Sequence, residues 1–371
     1  MDTYLMSTSR RTLLTFDWRL FAVAAGLAAL SVLVIYSTSG AHASLARQSL
    51  YLKQATWAVI GLVAVIPLCL FPYRATSHLA YLIYGFLLVS LVLVSLIGRS
   101  GLGAQRWLSI GPFAFQPSEF MKLSLIILLA RYFEDRREQL HTSRIFVLPI
   151  LLTLVPMALV LRQPDLGTAI MLLLIAASIL IVMGLKIRYF LLVGAAGAAV
   201  TPILWHFLHD YQKNRILVFV YPDMDPMGVG YHVAQSKIAV GSGGFIGKGW
   251  MAATQSQLNF LPANHTDFVF AGLAEQWGFM GALGLLLVYA YLLSRGLRLA
   301  KDASDLFSMI TSFGIVSMIA WQMVINIGMV TGIMPVVGIP LPLLSYGGSS
   351  MLVNMLAVGL LLNIQKYRYQ Y

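Results

Sequence analysis

Apolar residues in this chain come in long runs separated by short polar breaks. A run of roughly 20 apolar residues is long enough to cross a bilayer as a helix. Ten can be marked, at about 19–37, 55–71, 79–97, 118–133, 146–161, 166–185, 189–205, 268–294, 306–330 and 348–364. The pattern predicts an all-α polytopic membrane protein, a bundle of ten transmembrane helices forming a single domain over residues 1–371. Residues 1–18 and 365–371 are tails, and residues 206–266 form the one long loop, between spans 7 and 8. Ordered loops of that length are usually functional. Within it, Tyr231 to Val240 is predicted as a short amphipathic helix on the membrane surface. The first run, with Arg10 and Arg11 before it and Ala41-His-Ala43 after it, has the outline of a secretory signal. Its length and the nine runs that follow favour an uncleaved helix.

Composition sharpens this picture. Of 371 residues, 59% are hydrophobic and only 11% charged, against about 25% charged in a soluble domain. Nothing large enough to be a separate soluble catalytic domain is left over, so any chemistry must be built from helix ends and loops. A net charge of +11 would suggest nucleic acid in a soluble protein. Here the basic residues sit at the ends of apolar runs and read as topology signals, so no nucleic-acid partner is expected. With the amino terminus inside, fifteen lysines and arginines fall on inner segments, among them Arg131, Arg136, Arg137, Arg295 and Arg298, against six at outer segments or helix ends, while the four in the long loop count little. Both termini are therefore expected in the cytoplasm. The single cysteine, Cys69, offers no disulfide or zinc site.

That topology sends four polar helix starts to the outer face. Spans 4, 6, 8 and 10 open with Gln116-Pro-Ser-Glu119, Gln163-Pro-Asp165, Asn264-His-Thr-Asp267 and Ser345-Tyr-Gly-Gly-Ser-Ser350. Converging positive helix ends make an anion site, so the extracytoplasmic side is the expected working face. Asp267 reads in two ways. Asn264-x-x-Asp267 has the shape of a capping box, yet a carboxylate at the edge of a membrane span is also a functional candidate. Glu275, eight residues on, lies on nearly the same face ~12 Å deeper, where it needs a partner or a wet cavity. Glu119 and Lys122 are three apart and share a face, as an internal ion pair or as a phosphate contact. Arg162-Gln-Pro-Asp165 is a helix hairpin that doubles as a candidate site. Gln322, Asn326 and Asn354 are read as interhelical hydrogen-bonding residues. The proline-rich stretch from Thr331 to Pro342 cannot continue a helix and is expected as an ordered outer loop packed on the bundle. Gly241 to Gly249 lacks the spacing of a phosphate-binding loop and is not read as one.

Several of these motifs occur together in a known family. Arg106-Trp107-Leu-Ser-Ile-Gly-Pro, Gln116-Pro-Ser-Glu119-Phe-Met-Lys122, Gln163-Pro-Asp165-Leu-Gly-Thr168, His265-Thr-Asp267-Phe and the Ser345 to Ser350 stretch resemble the SEDS proteins of bacterial cell-wall synthesis (shape, elongation, division, sporulation). The resemblance runs from about residue 20 to 365. Gly228 to Ala239 and Pro335 to Pro342 bring it nearer the elongation member than the division member. It implies a peptidoglycan glycosyltransferase of the bacterial inner membrane that polymerises lipid II into glycan strands at the outer face, during cell elongation and rod-shape maintenance, and releases a polyprenyl diphosphate. It also implies a divalent cation (Mg2+ or Mn2+), whose ligands the sequence does not name, and a class B penicillin-binding protein, a transpeptidase, as partner. Asp267 matches the family's essential aspartate and is the expected catalytic residue. Lys122, Glu119, Arg106, Trp107, Gln163, Asp165, His265, Thr266, Glu275, Ser345 and Ser349 are the residues expected against the substrate. Where the family often has two glutamates in succession, this chain has Glu275-Gln276. The alternative is a lipid II flippase, for which polar sites near the midplane, discontinuous helices and inverted repeats are expected. Charges gathered at one face favour the enzyme.

Overall fold

A computed structural model describes residues 16–38, 45–101, 104–110, 113–188, 228–258, 260–261 and 265–368, with residues 213, 217, 219 and 221 placed singly. The helices are α1 (Trp18–Thr38), α2 (Leu45–Leu70), α3 (Tyr73–Ile97), α4 (Pro117–Asp135), α5 (Val147–Arg162), α6 (Leu166–Val182), α7 (Val229–Ser242), α8 (Thr254–Gln257), α9 (Val269–Lys301), α10 (Leu306–Val330) and α11 (Gly348–Tyr367). Nine of the ten predicted spans coincide with helices of this set. The seventh, 189–205, lies outside the described residues. Among the described residues seven helices are long and apolar enough to cross a membrane, and the chain is a mostly helical, multi-pass membrane protein. α2 begins ten residues before its predicted span. Its first turns carry Arg47, Gln48 and Lys53, which interrupt the apolar run but are good helix formers.

α4 is the hub. Its side chains are buried almost all the way round, as a helix surrounded by other helices requires. It packs on α3, α6 and α10, and Gly314 of α10 leaves room for Ile126 of α4 and Ile179 of α6. α2 lies along α11, with Gly61 against Met355 and Gly359 against Val65. Such small residues let membrane helices approach closely.

One element departs from the all-α reading. Between α3 and α4 the chain forms a small antiparallel sheet of β1 (Arg99–Gly101), β2 (Ala104–Ile110) and β3 (Phe113–Phe115), in the order β1-β2-β3. Gly111-Pro112 separates the second and third strands in sequence, as turn residues do.

The long connection is built onto the bundle. α7 is longer than the predicted Tyr231 to Val240 helix and buries Ser236 and Ala239. Ser236 donates to the Val330 carbonyl at the end of α10 (2.8 Å), so one face of α7 packs on protein. Beyond it, the glycine-rich stretch closes a break in α9. Gly278 has φ 64° and ψ −161°, outside the helical region. The strap supplies partners there: Lys248 and Gly249 amides donate to the Glu275 and Gln276 carbonyls (3.0 Å each), and Phe279 donates to Gly244 (2.9 Å) and Met280 to Phe245 (3.1 Å). Backbone groups released by a broken helix need such partners where water is scarce. Glycine is required at the contact itself, because a Cβ on Gly247 would lie 2.1 Å from the Gln276 oxygen. Gly241 to Gly249 is thus a clasp.

At the other end of the bundle, Asp17 caps α1. It accepts from the Leu20 (3.0 Å) and Arg19 (3.1 Å) amides, and its second oxygen accepts from Arg295 Nε of α9 (3.1 Å). Burial alone would push this carboxyl up, but the Arg295 hydrogen bond, the Leu20 amide and the Arg295 charge outweigh it and hold it below the ordinary value.

Two stability predictions follow from these joints. Gly278→Ala is expected to destabilise the protein by about 2 kcal/mol or more, since it forces a side chain into a left-handed conformation against the Gly247 amide. Thermal melting, with limited proteolysis of the strap, checks it. Asp17→Asn is expected to cost about 1 kcal/mol through the lost charge opposite Arg295, since asparagine caps a helix about as well as aspartate. A depressed carboxyl pKa stabilises the fold above the ordinary aspartate value of about 3.9 and loses that contribution as pH falls through the folded value. The gap in melting temperature between wild type and Asp17→Asn should therefore hold from neutral pH down to about 4 and close only below that.

Candidate active site

The four helix starts meet, and hydrogen bonds join them. The segment before α9 is fixed by three consecutive backbone carbonyls. The His265 carbonyl accepts from the Tyr346 amide (2.8 Å), that of Thr266 from Ser345 Oγ (2.6 Å), and that of Asp267 from Asn326 Nδ2 (3.0 Å). Asn326 also donates to the Ile339 carbonyl (2.8 Å), and Ser345 Oγ accepts from the Leu341 amide (2.8 Å). The Thr331 to Pro342 stretch is accordingly ordered and packed inward, with Ile339 and Leu341 buried. α9 starts at Val269 with Phe268 in the cap position and no side-chain cap bond, so Asp267 stands one residue before the cap. Asn264, its partner in the capping-box reading, lies outside the described residues. Asp267 is partly exposed, as are His265 and Thr266. The rings of His265 and Tyr346 meet edge to face at 5.6 Å, and burial pushes the Tyr346 phenol above its ordinary pKa.

A second cluster joins the other starts. Asp165 caps α6, accepting from Thr168 N (3.2 Å) and Thr168 Oγ1 (2.9 Å), and Gln116 Nε2 reaches its second oxygen at 3.4 Å. Gln116, which caps α4, donates its own amide to Ser349 Oγ of α11 (3.2 Å). Arg106, carried on β2, donates to the carbonyls of Gln163 (3.4 Å) and Pro164 and lies 3.8 Å from Asp165. Trp107 stands beside it, paired across the sheet with Arg99. A chain of contacts therefore runs Arg106–Asp165–Gln116–Ser349, and α11 carries it to Ser345 and the Asp267 segment.

The remaining sequence candidates fall beneath or beside this surface. Glu119 and Lys122 pair at 2.9 Å and are both buried, which is the internal ion pair among their two readings. Glu275 is fully buried and takes Lys248 Nζ (2.7 Å), Thr254 Oγ1 (3.1 Å) and the Gln255 amide (3.1 Å) on one oxygen. Its partner is the glycine-rich clasp, and it belongs to that joint, separate from the Asp267 cluster. Gln163 is buried and donates to the Leu91 carbonyl of α3 (2.8 Å), anchoring the hairpin. Ser345 is a staple between two loops. Among described residues, no group of three or more His, Cys, Asp or Glu side chains could hold a metal.

Two contributors were not legible as site residues. Gln54 of α2 is buried, donates to Ser31 Oγ (2.8 Å) and the Ser345 carbonyl (3.2 Å), and accepts from the Gly347 amide (3.3 Å). A lone amide opening an apolar run was the available signal. Lys248 is 27 residues from Glu275 in the chain, and no spacing rule joins them.

Similar proteins are known. A sequence model of the FtsW/RodA/SpoVE family, described as cell cycle proteins, matches residues 17–370. The peptidoglycan glycosyltransferase MrdB of Escherichia coli (strain K12) is 41% identical over 339 residues, 91% of this chain and 90% of that protein. A solved chain from work on coordination of polymerization and crosslinking by a peptidoglycan synthase complex superposes with a TM-score of 0.83 at 35% identity, covering 96% of this chain and 99% of its own. The crystal structure of Thermus thermophilus rod shape determining protein RodA gives a TM-score of 0.72 at 33% identity, covering 96% and 98%.

Replacing Asn326 with Leu keeps the apolar bulk and removes the donor shared by the Asp267 and Ile339 carbonyls. Leaving such carbonyls unsatisfied costs about 1–3 kcal/mol each. Hydrogen exchange should quicken over residues 265–268 and 339–346 while α3 stays protected. Unchanged exchange in both segments would separate Asn326 from the loop.

Proposed function

This chain belongs to the FtsW/RodA/SpoVE family, and from that premise we infer that it is a peptidoglycan glycosyltransferase whose reaction is carried by Asp267. The observation that carries the assignment is the pinned 265–267 segment: a partly exposed carboxylate on a backbone held at three successive carbonyls, where four positive helix ends meet. The activity agrees with the names of the relatives. The substrate in this reading is lipid II, and the reaction occurs at the outer face of the bacterial inner membrane, with both chain termini in the cytoplasm.

In the reaction, Asp267 takes the proton of an acceptor sugar hydroxyl. The freed oxygen bonds to the anomeric carbon of a second lipid-linked disaccharide, and the bond from that carbon to the diphosphate breaks. A polyprenyl diphosphate leaves with the electron pair. General-base work of this kind is worth about 10²–10⁴ in rate. Charge growing on the diphosphate needs positive groups already aimed at it. The starts of α4, α6 and α11 and the partly exposed Arg106 fill that role. Lys122, buried against Glu119, supports the floor of the site from below. No general acid is required, since a diphosphate is already a good leaving group.

A divalent cation fits this donor set in one way. Mg2+ commonly binds through one or two carboxylates and substrate phosphates. Asp267 together with diphosphate oxygens would hold it, and the ion would supply charge neutralisation. A class B penicillin-binding protein is the proposed partner, supported by the similarity to a chain of a peptidoglycan synthase complex. The flippase reading draws on one observation, the break in α9 at Gly278. That break is filled by the backbone of the clasp, which leaves the enzyme as the better reading.

Asp267→Ala and Asp267→Asn are both expected to lower lipid II polymerisation by on the order of 1,000-fold in purified protein supplied with Mg2+ and its partner, with melting temperatures near wild type. A folded Asp267→Ala protein that polymerises at the wild-type rate would refute the assignment.

A further inference from the structure

A polar pocket lies at the end of the bundle opposite Asp267. It has a volume of about 260 Å³ and opens between the start of α3, the end of α4 and the start of α10. Arg131, on its wall, is fourteen residues along α4 from Pro117, ~21 Å from the catalytic end.

The two carboxylates of the pocket are committed to the fold. Asp305 caps α10, accepting from the Ser308 amide (2.7 Å), and also accepts the Tyr73 hydroxyl. Glu134 accepts from the Phe307 amide (3.0 Å). Both therefore compensate the positive start of α10. Three nitrogen-bearing side chains share the wall: Arg74, His78 and Arg131. Arg131 is oriented by Asp135 (2.9 Å) and by Ser77 (3.2 Å). Arg74 and His78 are four apart, so they neighbour each other on one face of α3, and both are exposed.

The same face continues in an ordered way. At helical spacing from His78 come Leu82, Phe86, Val89, Leu93 and Leu96, all exposed and all apolar. One stripe of α3 thus begins with a guanidinium and an imidazole beside a polar pocket and runs on as an apolar track the length of the helix. A phospholipid has the same order of chemistry, a phosphate followed by acyl chains. A free phosphate would match the pocket alone, whereas the acyl chains of a lipid would also lie on the apolar face that α3 turns to the bilayer.

We propose that this pocket binds the phosphate of an anionic membrane phospholipid whose acyl chains lie along the exposed face of α3. The site is separate from the polymerisation site and stands whether or not Asp267 is the base.

Native mass spectrometry of the full chain titrated with phosphatidylglycerol tests it, with phosphatidylcholine and inorganic phosphate as parallel probes. Wild type should retain phosphatidylglycerol adducts in preference to phosphatidylcholine. Arg74→Gln combined with His78→Gln should weaken them by on the order of tenfold, chiefly through the lost Arg74 charge. Arg137→Gln with Arg144→Gln, exposed basic residues outside the pocket, should leave them unchanged. Bound lipid should raise the melting temperature of wild type and not of the pocket variant, which also reports that the variant folds. Inorganic phosphate that binds with the same sensitivity to Arg74 and His78, in the absence of phosphatidylglycerol adducts, would overturn the lipid assignment in favour of a soluble phosphate. Equal loss in both double variants, or loss in neither, would overturn the site.

Discussion

Three consecutive carbonyls, those of His265, Thr266 and Asp267, are held by donors from α10 and from the turn before α11, and the catalytic end of the molecule is organised around that constraint. A loop backbone is ordinarily free to relax into water. Here each peptide has a fixed partner, so the carboxylate of Asp267 leaves the chain from a predetermined position. The donors are themselves held. Asn326 is tied to Ile339, Ser345 to Leu341, and Gln54 reaches across from α2 to both sides of Tyr346. Preorganisation of this kind lets a charged group act without reordering its surroundings during reaction.

Three other carboxylates are buried and paired with a cation. Glu119 meets Lys122, Glu275 meets Lys248, and Asp17 meets Arg295. A buried charge that loses its partner is strongly destabilising, and two of the three pairs lock separate elements together. Glu119–Lys122 sits within the hub helix, Glu275–Lys248 closes the clasp over the α9 break, and Asp17–Arg295 joins α1 to α9. Asp267 differs in being partly exposed, at the meeting point of the helix starts.

Much of this was legible in the sequence, for physical reasons. Apolar runs of bilayer length leave no alternative to helices, which is why α10 matches its predicted span residue for residue. The polar starts of α4, α6, α9 and α11 announced a shared surface, whereas Asn326, whose place in a span predicts a bond between helices, holds the Asp267 and Ile339 carbonyls of two loops. What escaped the reading depends on contacts distant in sequence. The break at Gly278 lies inside an apolar run and shows itself only through the strap that fills it. The sequence leaves Glu275 between a partner and a wet cavity, because its partner, Lys248, sits in a loop 27 residues away. The strands around Arg106 are short and lack a strict alternation of apolar and polar residues, so no pattern marks them between two membrane helices. Asp165 and Ser345, polar residues beside a candidate site, serve largely as cap and staple.

The most direct measurement is a structure of the protein with an unreactive lipid II analogue in the donor position and a sugar acceptor beside it. The acceptor hydroxyl should lie within hydrogen-bond reach of the Asp267 carboxylate, at about 2.6–3.2 Å, with the diphosphate against Arg106 and the starts of α4, α6 and α11. A reacting hydroxyl resting on Glu119 or Glu275, with Asp267 turned away from the sugars, would contradict the assignment.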